Sequence, residues 1–228
     1  MDPRILIGHA VKVALVAALA GLYVRGRSGR SHAMVAYLWA ALVGNSLTTF
    51  WPDVFFNYEF WMRRQALFDV LKLLVGIEVA LRALRLFPGA RATWERLTAA
   101  SVLGATTSAF WFLPRDAPYS VLFAHQPQII AGTVWLFTLT ALVVVHYRIP
   151  LDPWHRAILL GFVPYQLVFT TAIAVMTKGG VSLHPAMGFV DSAAYLVMVT
   201  YWAQTAWRPE EALDVSPATR RAMQLEGA

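Results

Sequence analysis

The chain has 228 residues, of which 58% are apolar and only 14% are charged, and its mean hydropathy is +0.53. This composition excludes an ordinary soluble globular domain. The formal net charge is +6, but most basic residues stand beside long apolar runs, where membrane topology and anionic lipid headgroups account for them. We therefore predict a protein in a lipid bilayer and do not expect nucleic acid as a partner.

Seven apolar runs approach the length of about 20 residues that crosses a hydrocarbon core. In chain order they are residues 5–24, 33–51, 65–86, 97–113, 129–147, 157–177 and 185–207. They lack the polar alternation of barrel strands, which predicts an all-α, polytopic bundle of about seven transmembrane helices. Charges in the third run and hydroxyl residues in the fourth leave six or eight crossings as alternatives. Residues 1–207 form the predicted transmembrane domain, and residues 208–228 form a short tail.

The basic residues between the runs predict the orientation of the bundle. Most arginines follow the first, third, fifth and seventh runs, whereas few precede the first run or follow the even-numbered ones. Because loops rich in Lys and Arg stay in the cytoplasm, this distribution predicts an N-terminus outside the cell and a cytoplasmic C-terminus. The short tail offers no separate catalytic or output domain.

Six polar residues inside the runs fall at similar depths, between about 6 and 10 Å from the predicted outer ends. They are His9, Lys12, Asn45, Asp69, Lys72 and Asp191. Ionisable groups are costly in hydrocarbon and therefore mark candidate functional sites. We predict that they converge on one ligand-binding cavity open to the outside. The alternative is a set of ion pairs that holds the helices in register, with Lys72 facing Asp69 or Asp191.

Two further patterns concern the shape and stability of individual helices. Pro164 with Gln166 predicts a kink and a candidate hinge in the sixth run, because proline removes a backbone donor and frees a carbonyl. Most such kinks are only bends. Glu78 and Arg82 are spaced for an ion pair on one helix face, and we interpret that pair as structural.

Cofactors and catalytic motifs receive little support from the sequence. The absence of cysteine excludes disulfides, thiolate metal sites and cysteine nucleophiles. No two of the six histidines share a helix at ligand spacing, so no metal site is predicted, and a histidine pair that binds haem b is a weak alternative. No nucleophile elbow or phosphate-binding glycine loop is present, which makes an intramembrane enzyme the least favoured interpretation.

Residues 60–65 (FWMRRQ) and 74–79 (LVGIEV) carry a loose pattern that runs from aromatic residues to a glutamate. With the hydropathy profile, this pattern resembles uncharacterised bacterial seven-helix membrane proteins, some of them similar to the membrane input modules of sensor kinases. The resemblance implies a multi-pass protein of the bacterial cytoplasmic membrane. It identifies no ligand and no functional residue.

Two functional hypotheses follow from these patterns. The first is a non-enzymatic membrane protein, either an accessory subunit of a membrane complex or a sensor-like ligand-binding module, with a membrane or cytoplasmic protein as its partner. The second is a small secondary transporter or proton-coupled carrier, in which Asp69, Lys72 and Asp191 titrate or bind substrate. No inverted repeat supports the second hypothesis.

Overall fold

The computed structural model describes residues 3–84, 118–146, 149–179 and 181–209. These residues form helices and contain no strand, which confirms the all-α prediction for this part of the chain. The helices are α1 (Pro3–Val24), α2 (His32–Phe50), α3 (Pro52–Phe55), α4 (Tyr58–Leu84), α5 (Pro118–His146), α6 (Pro153–Gly179) and α7 (His184–Trp207). Six of the predicted runs overlap with the six long helices, although α4 begins at Tyr58 instead of residue 65 and α5 at Pro118 instead of residue 129. The fourth run, residues 97–113, lies outside the described residues.

Three of the described helices are long and apolar enough to span a membrane. The spans are Ile5–Val24 in α1, His32–Phe50 in α2 and Pro153–Met176 in α6, and α5 contains the shorter apolar segment Ile130–His146. Large apolar side chains such as Val13, Trp135 and Val197 are exposed on the outside of the bundle. Outward apolar surface of this kind is suited to lipid contact. The fold is therefore that of a membrane protein.

The six long helices form a closed ring. Contacts lead from α1 to α7, then to α6, α5, α4 and α2, and α2 returns to α1. The ends of the bundle are named here by the first and last helices: the N-side, where α1 and α7 begin, and the C-side, where they end. The one-turn helix α3 lies on the N-side between α2 and α4.

An aromatic core fills the centre of this ring. Phe162 of α6 has its ring centroid 5.3 Å from that of Tyr37, 4.9 Å from that of Phe137 and 4.7 Å from that of Trp202. The four rings come from α6, α2, α5 and α7, and each is at most 1% exposed. Tilted and edge-on ring pairs are favourable beyond their buried area. These rings therefore connect four helices around one point.

Glycines allow two helix pairs of the ring to approach closely. Trp202 donates a hydrogen bond from Nε1 to the Ala157 carbonyl at 3.0 Å, and its indole lies directly on Gly161, where a Cβ atom would collide with it. A Cβ atom on Gly21 would lie 2.9 Å from Cβ of Ala206. Small residues at such crossings let the backbones of membrane helices come together.

On the C-side, a buried arginine satisfies the last carbonyl groups of α7. The guanidinium of Arg27 donates to the carbonyl oxygens of Thr205 at 3.1 Å, Ala206 at 3.4 Å and Arg208 at 2.8 Å. These carbonyls have no donor within the helix, and a cation also favours the negative end of the helix dipole. Arg27 is only 5% exposed, so it does more than contribute to membrane orientation.

Two carboxylates of the C-side cap the beginnings of helices. Glu78 of α4 accepts hydrogen bonds from the Ala33 amide at 2.9 Å and the Ser31 hydroxyl at 3.3 Å, and Arg82 donates to it at 3.4 Å. The predicted pair of Glu78 and Arg82 is therefore confirmed. The pair also satisfies the first turn of α2, a contact between distant segments that helix spacing does not reveal.

Asp152 has the equivalent role at the start of α6. Its Oδ1 accepts the Trp154 amide at 2.7 Å, and its Oδ2 pairs with Arg30 at 2.9 Å. The neighbouring His155, with the helix amide and Arg30, holds the pKa of the Asp152 carboxyl below its ordinary value. The ring of His155 is itself buried, with Nδ1 3.8 Å from Oδ1 of Asp152. Asp152 thus joins the segment between α1 and α2, which carries Arg30, to the start of α6.

Candidate functional site

An ion pair lies within α4 in the interior of the bundle. Nζ of Lys72 is 3.4 Å from Oδ1 of Asp69, and the two side chains are 9% and 6% exposed. The residues are three positions apart on one helix face, the spacing from which the sequence predicts the pair. Gln65, one turn earlier, donates from Nε2 to the same Asp69 oxygen at 3.1 Å. The carboxylate is therefore bound on one helix by both a cation and an amide.

Two other helices contribute to the surroundings of Lys72. The ammonium group lies 5.1 Å from the centroid of the Phe169 ring on α6, and Asp191 on α7 is an electrostatic neighbour. The Tyr165 hydroxyl lies close enough to Asp191 to act as its hydrogen-bond donor. Oδ1 of Asp191 is buried and has no hydrogen-bond partner among the residues described. The structure thus brings Asp191 towards the Asp69 and Lys72 pair.

Three tyrosines surround this group of charges, and the sequence interpretation missed them. The rings of Tyr165 and Tyr195 are 5.4 Å apart, and the hydroxyl groups of Tyr195 and Tyr37 interact with each other. Aromatic residues in an apolar run indicate core packing, so no local pattern separates these from their neighbours. Only the packing of α2, α6 and α7 shows that their hydroxyl groups meet.

Arg64 is the second functional candidate that the sequence interpretation missed, because it was assigned to an outer loop. It lies in the second turn of α4, and its Cδ atom is 3.0 Å from the position of a Cβ atom on Gly44. Its guanidinium lies 5.3 Å from the centroid of the Phe68 ring and has the three tyrosines as electrostatic neighbours. Gly44 on the adjacent helix leaves space for this arginine.

We call these residues together the polar cluster. It consists of Tyr37, Arg64, Asp69, Lys72, Tyr165, Asp191 and Tyr195. The two cations and two carboxylates balance formally. Asp69 and Lys72 are paired with each other, whereas neither Arg64 nor Asp191 has an ion-pair partner in the described segments. The cluster therefore holds one ion pair, Asp69 with Lys72, and two opposite charges, Arg64 and Asp191, that form no ion pair within the described residues.

The other predicted site residues lie apart from the contacts of this cluster. His9 is exposed on α1, and Lys12 donates to the Thr49 hydroxyl at 2.9 Å and lies 5.5 Å from the Phe50 ring centroid. Asn45 is half-buried, and its main-chain carbonyl accepts the hydroxyl of Thr49. Across the described helices, no hydrogen bond or ion pair connects these three side chains to the cluster.

The predicted hinge residues have different surroundings. Pro164 is exposed within α6, which continues as one helix from Pro153 to Gly179. Gln166 is only 3% exposed, and its Oε1 lacks a hydrogen-bond partner within the described part of the chain. Gln166 follows Tyr165 in the chain, but adjacent residues of a helix point in different directions, so Gln166 is taken only as a buried polar group of α6. A hinge motion at Pro164 stays a prediction.

Comparisons with known proteins give no relative for this chain. No protein-family model matches it, no curated protein is significantly similar to it, and no solved structure matches it. In the described residues, no group of three or more His, Asp or Glu side chains is placed to hold a metal ion. The functional proposal therefore depends on the polar cluster alone.

Proposed function

We propose that this chain is a non-enzymatic, sensor-like membrane protein that binds a small polar ligand in the polar cluster. It crosses a bacterial cytoplasmic membrane seven times, with its N-terminus outside and its C-terminus in the cytoplasm. The observation that carries the proposal is the pair of unmatched charges, Arg64 and Asp191, in the same cluster of an apolar bundle. The orientation is supported by the arginines that flank the C-side helix ends.

The energetics of burial favour a ligand over a purely structural role. A charge in apolar surroundings loses much of its hydration, and this cost is recovered only by a partner with good geometry. Three charged residues of the C-side have such partners, because each bonds a backbone group at the end of a helix: Arg27, Glu78 and Asp152. In the described segments Arg64 has no such bond, and Asp191 has the Tyr165 hydroxyl as its donor and no ion pair, which supports a partner that arrives from outside the chain.

A sensor must also transmit the binding event. Residues of the polar cluster come from α2, α4, α6 and α7, so a bound ligand contacts several members of the helix ring at once. Its differential affinity for two helix arrangements sets the size of any response. Among the described residues, the C-side connection between α1 and α2 carries Arg27 and Arg30, which bond α7 and the start of α6. A shift of these helices is therefore accessible to a membrane or cytoplasmic partner of an accessory subunit.

One observation favours a carrier as the second candidate. Pro164 stands inside α6 one residue before Tyr165 of the polar cluster, and ionisable groups within membrane helices mark the substrate sites of many transporters. In liposomes, such a carrier would move a substrate across the bilayer, and Asp69→Asn would abolish the flux. The proposed sensor binds ligand without catalysing flux.

The proposal is tested with the full-length chain purified in mild detergent. We expect small polar ligands to raise its melting temperature, Asp191→Asn to abolish the shift, and Asp53→Asn to leave it unchanged, because Asp53 is exposed on α3. Mass spectrometry of the same preparation identifies protein subunits that purify with it. Absence of any ligand shift dependent on Asp191 would overturn the proposal.

A further inference from the structure

Arg64 is built into the bundle in a way that presents its guanidinium to the polar cluster. Its side chain passes Gly44, where any larger residue would meet Cδ, and the guanidinium rests near the Phe68 ring. Three tyrosines are its electrostatic neighbours, and the described residues offer it no carboxylate within ion-pair distance. A guanidinium with free donors is well suited to a carboxylate, which it can bind through two parallel hydrogen bonds.

Asp191 is the matching anion on the opposite helix of the same cluster. Its Oδ1 is buried and accepts no hydrogen bond from the part of the chain described, and the carboxylate has Tyr165 as its donor. Lys72 is paired with Asp69, because its ammonium group lies 3.4 Å from Oδ1 of Asp69. Among the described residues, Lys72 forms no ion pair with Asp191. Buried acceptors without donors call for a group that carries several N–H bonds.

The two unmatched charges lie around the same pair of hydroxyl groups. Tyr165 and Tyr195 each have both Arg64 and Asp191 as electrostatic neighbours, and their rings are 5.4 Å apart. A ligand that reaches these hydroxyls therefore has as electrostatic neighbours both the Arg64 guanidinium and the Asp191 carboxylate, whose hydrogen-bond donor in the described chain is Tyr165. Phe68 and Phe169 add apolar surface at the Arg64 and Lys72 ends of the cluster.

We infer that the ligand is a small zwitterion of the neutral α-amino acid class, whose carboxylate binds Arg64 and whose ammonium group binds Asp191. This inference rests on the proposed binding function and names its ligand. The charge balance supports it, because a neutral ligand with separated charges matches both free groups and leaves the Asp69 and Lys72 pair intact. An organic anion would leave Asp191 unmatched, and an amine would leave Arg64 unmatched.

Analogues that each lack one charged group of the ligand test the inference on the unmodified protein. L-leucine is compared with 4-methylpentanoate, which lacks the ammonium group, and with 3-methylbutylamine, which lacks the carboxylate. Binding is measured by isothermal titration calorimetry in detergent at neutral pH. We expect L-leucine to bind at least about tenfold more tightly than either analogue, because each analogue leaves one of the two half-buried charges, Arg64 or Asp191, without an ionic partner. Equal or tighter binding of one analogue overturns the inference.

Two variants then test which residue binds the carboxylate of the ligand and which binds its ammonium group. Arg64→Gln is expected to weaken the binding of L-leucine at least about tenfold and to leave the binding of 3-methylbutylamine unchanged. Asp191→Asn is expected to weaken L-leucine binding to the same degree and to leave the binding of 4-methylpentanoate unchanged. Arg63→Gln is the matched control, because Arg63 is exposed and pairs with Glu59 at 3.3 Å. Arg64→Lys keeps the charge and should retain part of the affinity if Arg64→Gln fails to fold. Loss of all three ligands to the same extent in both variants contradicts the assignment.

A wider set of ligands separates the failure of this inference from the failure of the binding function. L-phenylalanine, glycine betaine, succinate and putrescine are tested in the same way. If a single-charge ligand binds at least as tightly as L-leucine and Arg64→Gln or Asp191→Asn abolishes its binding, the zwitterion is wrong and the binding function stands. If L-leucine, L-phenylalanine and the other compounds all fail to bind, both are overturned.

Discussion

The polar cluster and the C-side of the bundle both contain buried charges, but those charges have different partners. Arg27, Glu78 and Asp152 bind backbone groups at the ends of α7, α2 and α6. In the polar cluster, the charged side chains face aromatic rings, hydroxyl groups and one another. Helix ends have polar groups that some partner must satisfy, whereas the interior of a helix has none to offer. Charges in the first setting are thus explained by the fold, and those in the second are candidates for function.

The largest expected loss of stability follows from the removal of one member of the Asp69 and Lys72 pair. Lys72→Met leaves the Asp69 carboxylate buried without its cation, which should lower the free energy of unfolding by about 3–5 kcal/mol. The measurement is unfolding in mixed micelles with increasing dodecyl sulfate. Lys12→Met is the matched control, because Lys12 is only partly buried and bonds a single hydroxyl.

The corresponding double variant sharpens the comparison between the two regions. Asp69→Leu combined with Lys72→Met removes both charges, and apolar replacement of a buried pair is often neutral, so stability should return to within about 1 kcal/mol of the original. A double variant as unstable as Lys72→Met alone would mean that the pair is structural. The polar cluster would then resemble the C-side.

A smaller loss is expected on the C-side from Arg27→Met. The change removes the donor to the carbonyls of Thr205, Ala206 and Arg208, and hydrogen bonds to a charged group contribute about 1.5–3 kcal/mol. Thermal melting in detergent measures the effect against Arg25→Met, since Arg25 is exposed. Ligand binding should survive in Arg27→Met under conditions where the protein stays folded. Loss of binding without loss of stability would contradict the structural role.

The smallest effect concerns Asp152 and depends on pH. Asparagine caps helices nearly as well as aspartate, so Asp152→Asn should cost mainly the charge interactions with His155 and Arg30, about 1 kcal/mol or less. The pKa of Asp152 is depressed in the folded protein, so its charge stabilises the fold above the ordinary carboxyl value of 3.8, and this contribution is lost as the pH falls below that value. The difference in melting temperature between the two proteins should therefore stay constant from pH 8 to pH 5 and begin to shrink only as the pH approaches 3. A difference that shrinks between pH 8 and pH 5 would contradict this.

Predictability differed between local and distant contacts in this chain. The pair of Asp69 and Lys72 follows from a three-residue spacing on one helix, and the pair of Glu78 and Arg82 follows from a four-residue spacing. Arg64 was assigned to a loop because it follows an aromatic stretch, but α4 begins at Tyr58 and carries Arg64 into the bundle. Lys12 shares the predicted depth of Lys72 but lies on another face of the ring. The depth of a residue along a helix does not determine the direction in which its side chain points around the helix axis.

The amino-acid sequence by itself determined the helical class and the positions of the long described helices, because apolar runs without alternation are stable in lipid only as helices. It also determined the local pairs within α4. Tertiary structure alone decided which helices are neighbours, that Arg27 and Glu78 bond the ends of other helices, and that Arg64 and Asp191 flank the same tyrosines. The physical reason is that helix packing depends on the rotation and crossing of surfaces far apart in the chain, which no spacing within one helix encodes.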